Sequence, residues 1–433
     1  MDYEEAIEYL YNLKIYGMSL GLERIEYLLK VLGSPHKELK AIHVAGTNGK
    51  GSVCAFLSSI LHSAGYKVGL FTSPHLVSFE ERIQVNGKQI PKDRVCSLVE
   101  RIKPIAESMS KSGKFEHPTF FEVVTAMAFR HFLEEKVDYA IMEVGLGGRL
   151  DATNVVTPLV SVITTIALDH THVLGKELED VAKEKAGIIK SDIPVVTGVE
   201  DDQILALIKK TCKEKECEVY SSKEHRAYNL KGTDFEYQTF DIEVNGRRYN
   251  NLKISLLGEH QLKNALIAAM TLDVLKNKGI VIKETDLRKG FEITRWPGRL
   301  EINQEKPMVI LDCAHNPAGM RALRSALQEL FKGKKVTLVI GIMRDKDIPG
   351  IIKEIAIVAD NIIITKPEFE RASEPDIIES EAKKYCNNVL IKSKVEDAVQ
   401  YAIKNASIDD VICITGSIFN VGEAMAALDR IKP

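Results

Sequence analysis

Short apolar runs recur along this chain, and most lead into longer stretches where apolar positions return every three or four residues. The runs at 42–45, 68–71, 139–143, 160–166 and 194–197 are apolar at nearly every position. That is the pattern of strands covered on both faces. Helical spacing is read near 92–109, 119–135, 177–190 and 202–215. The alternation predicts an α/β protein with largely parallel sheets. Asn86-Gly87 and Asn245-Gly246 each separate two alternating runs and predict local hairpins. The stretch 219–257 reads as a small antiparallel β-rich patch beside the main sheet, and a helix is expected at 259–277.

At Arg295-Trp296-Pro297-Gly298-Arg299 the periodicity breaks on a proline and a glycine. This predicts a boundary between one domain at 1–295 and a smaller second domain at 296–433. Beyond it the alternation restarts, with strands expected at 308–311, 336–341, 361–365, 389–391 and 411–415 in a Rossmann-like α/β unit. Such sheets take ligands beyond the carboxyl ends of their strands, so a cleft between the two domains is the expected working site.

At 433 residues the chain exceeds what one hydrophobic core supports. Its 58 basic and 61 acidic residues nearly balance, so bulk charge points to neither nucleic acid nor a membrane surface. Any polyanionic ligand must be gathered by local groups. The start, Met1-Asp2-Tyr3-Glu4-Glu5, is acidic and unlike a signal peptide. No apolar run approaches the roughly 20 residues that span a bilayer. A cytoplasmic monomer is the expectation. The seven cysteines are scattered and lack zinc-site spacing, so reduced structural thiols are expected.

The heptapeptide Gly46-Thr47-Asn48-Gly49-Lys50-Gly51-Ser52 carries the strongest chemistry. It joins a buried strand to a segment, 52–65, suited to a helix packed on a sheet. A glycine-rich turn there presents backbone N–H groups and a positive helix end to phosphate oxygens. Lys50 adds a point charge for the β- and γ-phosphates, and the Ser52 hydroxyl can reach Mg²⁺. The usual P-loop has a glycine where Val44 stands here, so this is a shorter variant. The first domain is therefore read as a P-loop-type, mostly parallel sheet.

Glu143 closes the apolar strand 139–143, where a Mg²⁺ ligand belongs in a P-loop protein. Asp169-His170 follows another strand, and His170 could bind a second ion or move a proton. From spacing alone Lys185 is an ordinary helix-surface lysine. The loop 72–83, polar and apolar by turns, suggests substrate contact or a mobile lid. Asp312 could orient a nucleotide, His315 could hold a carboxylate or take a proton, and Asn316 before Pro317 is equally a helix cap. Ile414-Thr415-Gly416-Ser417 is a turn able to bind an anion, although capping by Ser417 fits nearly as well.

These motifs, with Arg149-Leu150-Asp151-Ala152-Thr153-Asn154, Lys185-Ala186-Gly187, His260-Gln261, Asn264 and Trp296-Pro297-Gly298-Arg299, occur in an order that resembles folylpolyglutamate synthase. The resemblance includes the bifunctional form with dihydrofolate synthase activity, within the Mur-type ATP-dependent amide ligases. It implies that Ser73, Glu143 and His170, helped by Ser52, hold Mg²⁺ at two sites. It also implies a carbamate on Lys185, which turns a repelled ammonium into an anionic metal ligand. By the same resemblance Asn264, Arg299 and Asp312 contact ATP, and His315 and Ser417 hold the incoming L-glutamate. Arg82 and its loop would shape the folate site, with Phe121 and Asp151 as pterin contacts. The run 149–154 looks more like the bifunctional enzymes, which favours dihydropteroate as a further substrate.

The reaction so implied passes a γ-phosphoryl group from ATP to a carboxylate, and the acyl phosphate then meets the amine of glutamate. Three other readings share the glycine turn. A peptidoglycan-precursor ligase would act on a nucleotide sugar. Gly51 between Lys50 and Ser52, the Ser73-Pro74-His75-Leu76 loop and the short 1–45 lead all argue against it. A P-loop regulatory NTPase would hydrolyse ATP without an amine. A small-molecule kinase would release a phosphorylated product.

Overall fold

The run at 41–45 forms β1 (Ala41–Ala45), buried at every position. Seven more strands join it: β2 (Val68–Phe71), β3 (Ile83–Val85), β4 (Lys88–Gln89), β5 (Tyr139–Glu143), β6 (Val160–Ile163), β7 (Val195–Thr197) and β8 (Val219–Ser221). Their order is β4-β3-β2-β5-β1-β6-β7-β8. β1 runs parallel to β5, with Val44 opposite Glu143, and parallel to β6, with Ala45 opposite Ile163. The chain leaves β1 for β2 beyond β5 and leaves β5 for β6 beyond β1. The turns after β1 and β5 therefore diverge, and the carboxyl ends of these strands frame a crevice.

The computed structural model describes residues 1–17, 21–224 and 228–431. Two units are distinguished: residues 1–228, 242–249 and 263–293, and residues 229–241, 250–262 and 294–433. The segments 229–241 and 250–262, which the sequence reading assigns to the first domain, thus pack within the second unit.

In the second unit β12 (Glu301–Glu305), β13 (Met308–Leu311), β14 (Val336–Ile340), β15 (Asn361–Ile364), β16 (Val389–Ile391) and β17 (Val411–Thr415) follow the order β12-β13-β17-β14-β15-β16. Only β12 is antiparallel to its neighbour. Leu311 lies opposite Ile414, and Ile340 opposite Thr415. The turns that begin at Asp312, Gly341 and Gly416 therefore start level with one another.

A further sheet has the order β11-β10-β9, from β9 (Tyr228–Thr233), β10 (Gln238–Val244) and β11 (Arg247–Ile254). Both Asn-Gly pairs are two-residue turns with positive φ at each position: 52° and 74° at Asn86-Gly87, 49° and 75° at Asn245-Gly246. β8 pairs in parallel with β7, so the start of the β-rich stretch 219–257 belongs to the main sheet. Residues 225–227 of that stretch lie outside the described residues.

The strand expected at 160–166 stops at Ile163, because Thr164 and Thr165 turn their hydroxyls onto the loop after β1. The helix expected at 177–190 spans Leu178–Ala186 and ends at a glycine, Gly187. Helices at Tyr3–Asn12, Glu23–Val31 and Glu284–Ile293 were not anticipated. The first starts on a reciprocal cap, with Glu5 N–H donating to Asp2 Oδ1 (2.8 Å) and Asp2 N–H to Glu5 Oε2 (3.0 Å). All seven cysteines are free thiols. No helix among the described residues is long and apolar enough to cross a membrane.

The helix Lys50–Ser63 is pressed by the helix Glu284–Ile293, with Phe291 edge-on to Phe56 at 5.2 Å. Gly290 makes this contact possible, since a Cβ there would sit 2.7 Å from the Ile60 nitrogen and closer still to its Cα. Gly290→Ala should therefore cost roughly 1–3 kcal/mol in urea unfolding. Gly232→Ala, with nothing within 4 Å of the new methyl, should be close to neutral. Equal stability of the two variants would contradict the close helix contact.

Candidate active site

The loop after β1 is held by the chain that leaves β6. Thr47 N–H donates to the Thr165 carbonyl (2.7 Å), and Thr47 Oγ1 bridges the N–H and C=O of Ala167 (both 3.0 Å). The Asn48 carbonyl accepts from the hydroxyls of Thr164 (2.7 Å) and Thr165 (3.1 Å). Contact is so close that a Cβ on Gly46 would overlap Thr164 Oγ1, and one on Gly49 would overlap Asn264 Oδ1. Gly49 also has φ +85°, which a side chain would oppose. The loop is thereby fixed against the start of the helix Lys50–Ser63, whose first-turn N–H groups have no acceptors within the helix. Such an end attracts anions.

Two lysines reach the same carbonyl. Lys50 Nζ donates to the Gly46 oxygen at 3.1 Å and to the Thr47 oxygen at 3.3 Å, while Lys185 Nζ donates to the Gly46 oxygen at 2.8 Å. Lys185 is buried, and its pKa falls to about 7, first through loss of hydration and then through the charge of Lys50; Asp169 and Asp151 oppose the shift. Spacing alone reads this lysine as an exposed one. It is instead a buried amine, half neutral near pH 7.

Ser52 is buried and its hydroxyl has no hydrogen-bond partner among the described residues, which leaves an oxygen suited to a metal ion or a phosphate. At the end of β5, Glu143 is buried and its Oε2 accepts the Ser73 N–H at 3.0 Å, so these two expected metal ligands are brought together. His170 lies three residues beyond Ala167, in a left-handed conformation (φ 49°), and its N–H donates to Asp169 Oδ1 (2.8 Å). The donor set of hydroxyl, carboxylate and imidazole fits Mg²⁺ in its oxygen atoms, while imidazole is the less usual ligand for that ion.

The carboxylate of Asp151 is engaged within the protein. It accepts from Gly145 N–H (3.0 Å), Leu146 N–H (2.9 Å), Thr153 N–H (3.0 Å) and Thr153 Oγ1 (2.5 Å). It thus organises the turn after β5. Phe121 packs on the same turn, since a Cβ on Gly145 would lie 2.6 Å from its ring. Arg82 is buried and donates from Nε to His75 Nδ1 at 2.8 Å. The Glu81 carboxylate gathers the N–H groups of Leu76, Val77 and Ser78 (2.7–2.9 Å) and gives the 72–82 loop a fixed shape.

In the second unit Asp312 is buried and accepts from Leu300 N–H and Ala314 N–H, both at 2.9 Å. Burial raises its pKa and the nearby Arg299 guanidinium lowers it. His315 Nδ1 stands 2.9 Å from the Cys313 carbonyl, which can only accept. Nδ1 is therefore the donor of this contact. Asn316 caps the helix Pro317–Leu330 through the Gly319 N–H (2.8 Å), and Ser417 Oγ accepts the Asn420 N–H (3.1 Å) as a cap of the helix Ile418–Ile431. The Gly416 N–H donates to the Ala314 carbonyl (3.2 Å), which ties the turns at 312–317 and 416–417 together.

Sequence reasoning missed Thr164 and Thr165 as loop holders, because they read as the tail of an apolar strand. It also missed Tyr11, whose hydroxyl is 3.4 Å from His75 Nε2. A helix-borne tyrosine has no local signature of that kind.

The glycine turn, its paired lysines and the strand-end carboxylate define a nucleotide-binding α/β enzyme. The Mur ligase middle domain matches residues 44–272 and the Mur ligase glutamate ligase domain matches residues 298–418. The chain is accordingly an ATP-dependent amide ligase of the Mur type. It is 36% identical to the dihydrofolate synthase/folylpolyglutamate synthase of Bacillus subtilis, over 97% of this chain and 98% of that one. The crystal structure of folylpolyglutamate synthase from Thermotoga maritima matches with a TM-score of 0.85 and 38% identity, covering 99% of this chain and 96% of the other. Escherichia coli FolC in complex with DHPP and ADP matches with a TM-score of 0.86 and 33% identity, covering 100% and 99%. This chain belongs to the dihydrofolate synthase/folylpolyglutamate synthase family.

Burial of Lys185 has a measurable sign. The unfolded chain keeps this proton up to the ordinary 10.5, whereas the folded protein loses it near 7, so the unfolded state binds more protons between these values. Stability from this group therefore rises with pH across that window. In CO₂-free buffer, wild type should gain on Lys185→Met by up to about 1.4 kcal/mol per pH unit from 7 to 9, read by urea unfolding. A difference independent of pH would contradict a buried neutral amine.

Proposed function

We propose that this chain joins L-glutamate to folates and to dihydropteroate, at the expense of ATP, through an acyl phosphate. The full-length likeness to dihydrofolate synthase/folylpolyglutamate synthase carries this reading. The convergence of Lys50 and Lys185 on the loop after β1 supports it. The run Arg149-Leu150-Asp151-Ala152-Thr153-Asn154 favours both activities in one chain.

In this reading the loop N–H groups and Lys50 bind the β- and γ-phosphates of ATP and hold them in line with the acid's carboxylate. Asn264, packed on Gly49, and Arg299 with Asp312 orient the nucleotide. The carboxylate oxygen attacks the γ-phosphorus, ADP leaves, and the acyl phosphate forms. His315 and Ser417 hold L-glutamate, and Nε2 of His315 takes the proton that its amine must lose. The amine attacks the acyl carbon, and the tetrahedral adduct expels phosphate.

Ser52, Ser73, Glu143, His170 and a carbamate on Lys185 would hold two Mg²⁺ ions, which neutralise phosphate charge when bound. The neutral amine is the form that takes up CO₂, with release of one proton, and burial raises the share of that form in Lys185 at neutral pH. The reading further places the enzyme in the cytoplasm as a monomer.

ADP release should require both the acid, dihydropteroate or tetrahydrofolate, and L-glutamate. Turnover indifferent to glutamate would remove the ligase reading. Lys50→Ala should lower kcat by on the order of 10²–10³. Lys185→Ala should fall by at least about 10² and recover in part with added acetate or formate. Wild-type rates in Lys185→Ala would remove the carbamate.

A further inference from the structure

The helix Asp202–Glu214 ends in a turn whose two contact positions are both cysteines. Beyond Lys215 the backbone enters the left-handed region at Glu216 (φ 53°). Glu216 N–H then donates to the Lys213 carbonyl (3.3 Å), and Cys217 N–H to the Cys212 carbonyl (3.0 Å). In a helix end closed by this nested pair of bonds, the first and last residues fold back onto each other. An apolar pair ordinarily fills that contact. Here it is filled by two thiols, and the Cys212 S–H donates to Cys217 Sγ. The backbone itself therefore holds the two sulfurs together.

The two thiols differ in access. Cys212 is buried among Ile204, Leu205 and Ile208. Cys217 is half-buried and lines an open cleft of about 300 Å³ with Asp192, Glu218 and Tyr220. Burial raises both thiols above their ordinary value. At Cys217 the bond received from Cys212 and the charge of Lys215 oppose that rise, whereas at Cys212 the same bond adds to it. Access and thiolate character thus both select Cys217 as the attacking sulfur, with Cys212 directly behind it.

We propose that Cys212 and Cys217 form a reversible dithiol–disulfide site, oxidised by low-molecular-weight disulfides that enter the cleft. The Cys217 thiolate attacks one sulfur of the small disulfide, whose S–S bond breaks and releases one thiolate. Cys212 then loses its proton to that thiolate and attacks Cys217 Sγ, which expels the second half of the small disulfide. Two protein thiols are oxidised, and one small disulfide is reduced to two thiols. Once Cys217 is capped, its negative charge no longer opposes ionisation of Cys212. The turn also holds the chain that follows Lys185, since Asp192 N–H donates to the Lys215 carbonyl (3.2 Å) and Lys215 Nζ to the Ile189 carbonyl. A covalent closure therefore stiffens the helix end and this segment together.

The test incubates the full-length reduced protein with oxidised glutathione, alkylates what remains free and maps the peptides by mass. Cys212 and Cys217 should be linked to each other, with the loss of two hydrogen atoms. After denaturation five of the seven thiols should still titrate, and dithiothreitol should restore all seven. Cys212→Ala should stop at one glutathionyl group on Cys217, while Cys217→Ala should leave Cys212 unmodified. In hydrogen exchange the Glu216 and Cys217 amides should slow about tenfold on oxidation. Wild type that keeps a stable glutathionyl group on Cys217, links either thiol to another cysteine, or retains both as thiols overturns the site. Should Cys212→Ala fail to fold, the wild-type map alone decides.

Discussion

Backbone approach without side chains is the constraint on which the first unit's chemistry depends. Residues 46–49 lie so close to Thr164 and Asn264 that only glycine fits at 46 and 49. That closeness holds the loop rigid, and rigidity is what lets two lysines converge on one carbonyl, 3.1 and 2.8 Å away. Two ammonium groups cannot share such a place at low cost, and the more buried one yields its proton. The same geometry thus sets one lysine at the start of the helix and lowers the pKa of a second, buried amine to about 7.

Buried polar groups in this protein divide into those already satisfied and those left open. Asp151, Asp312 and Asn420 are engaged by internal hydrogen bonds and shape turns at the ends of strands. Among the described residues Ser52 Oγ has no hydrogen-bond partner, and Arg82 donates to the His75 imidazole with no acid in ion-pair contact. A fold tolerates such exceptions at modest expense, and they are where ligand atoms belong. The contrast separates Asp151, a turn organiser here, from Ser52, although both stand in motifs of similar appearance.

Much of this was legible in the residues alone. Nearly unbroken apolar runs marked β1, β2, β5, β13 and β17, because strands buried on both faces leave little polar alternation to confuse with a helix. The Asn-Gly pairs located both two-residue turns for the same kind of local reason. Two edge strands were not legible: β12 reads Glu-Ile-Asn-Gln-Glu, and β4 has two polar residues. The burial of Lys185 was invisible, since a helix surface and a loop carbonyl 139 residues away meet only in three dimensions. Tyr11 escaped notice for the same reason, whereas Glu143, His170 and His315 stood out by following apolar strands, and only the family resemblance singled out Lys185.

The most direct trial of the central claim follows oxygen. If a carboxylate of the acid attacks the γ-phosphorus, tetrahydrofolate or dihydropteroate labelled with ¹⁸O in that carboxylate must transfer one labelled atom to the released orthophosphate during amide formation. Mass spectrometry of the phosphate should show this label in proportion to product. Phosphate that stays unlabelled while the amide accumulates would contradict phosphoryl transfer to the acid, and with it the mechanism built on the loop after β1.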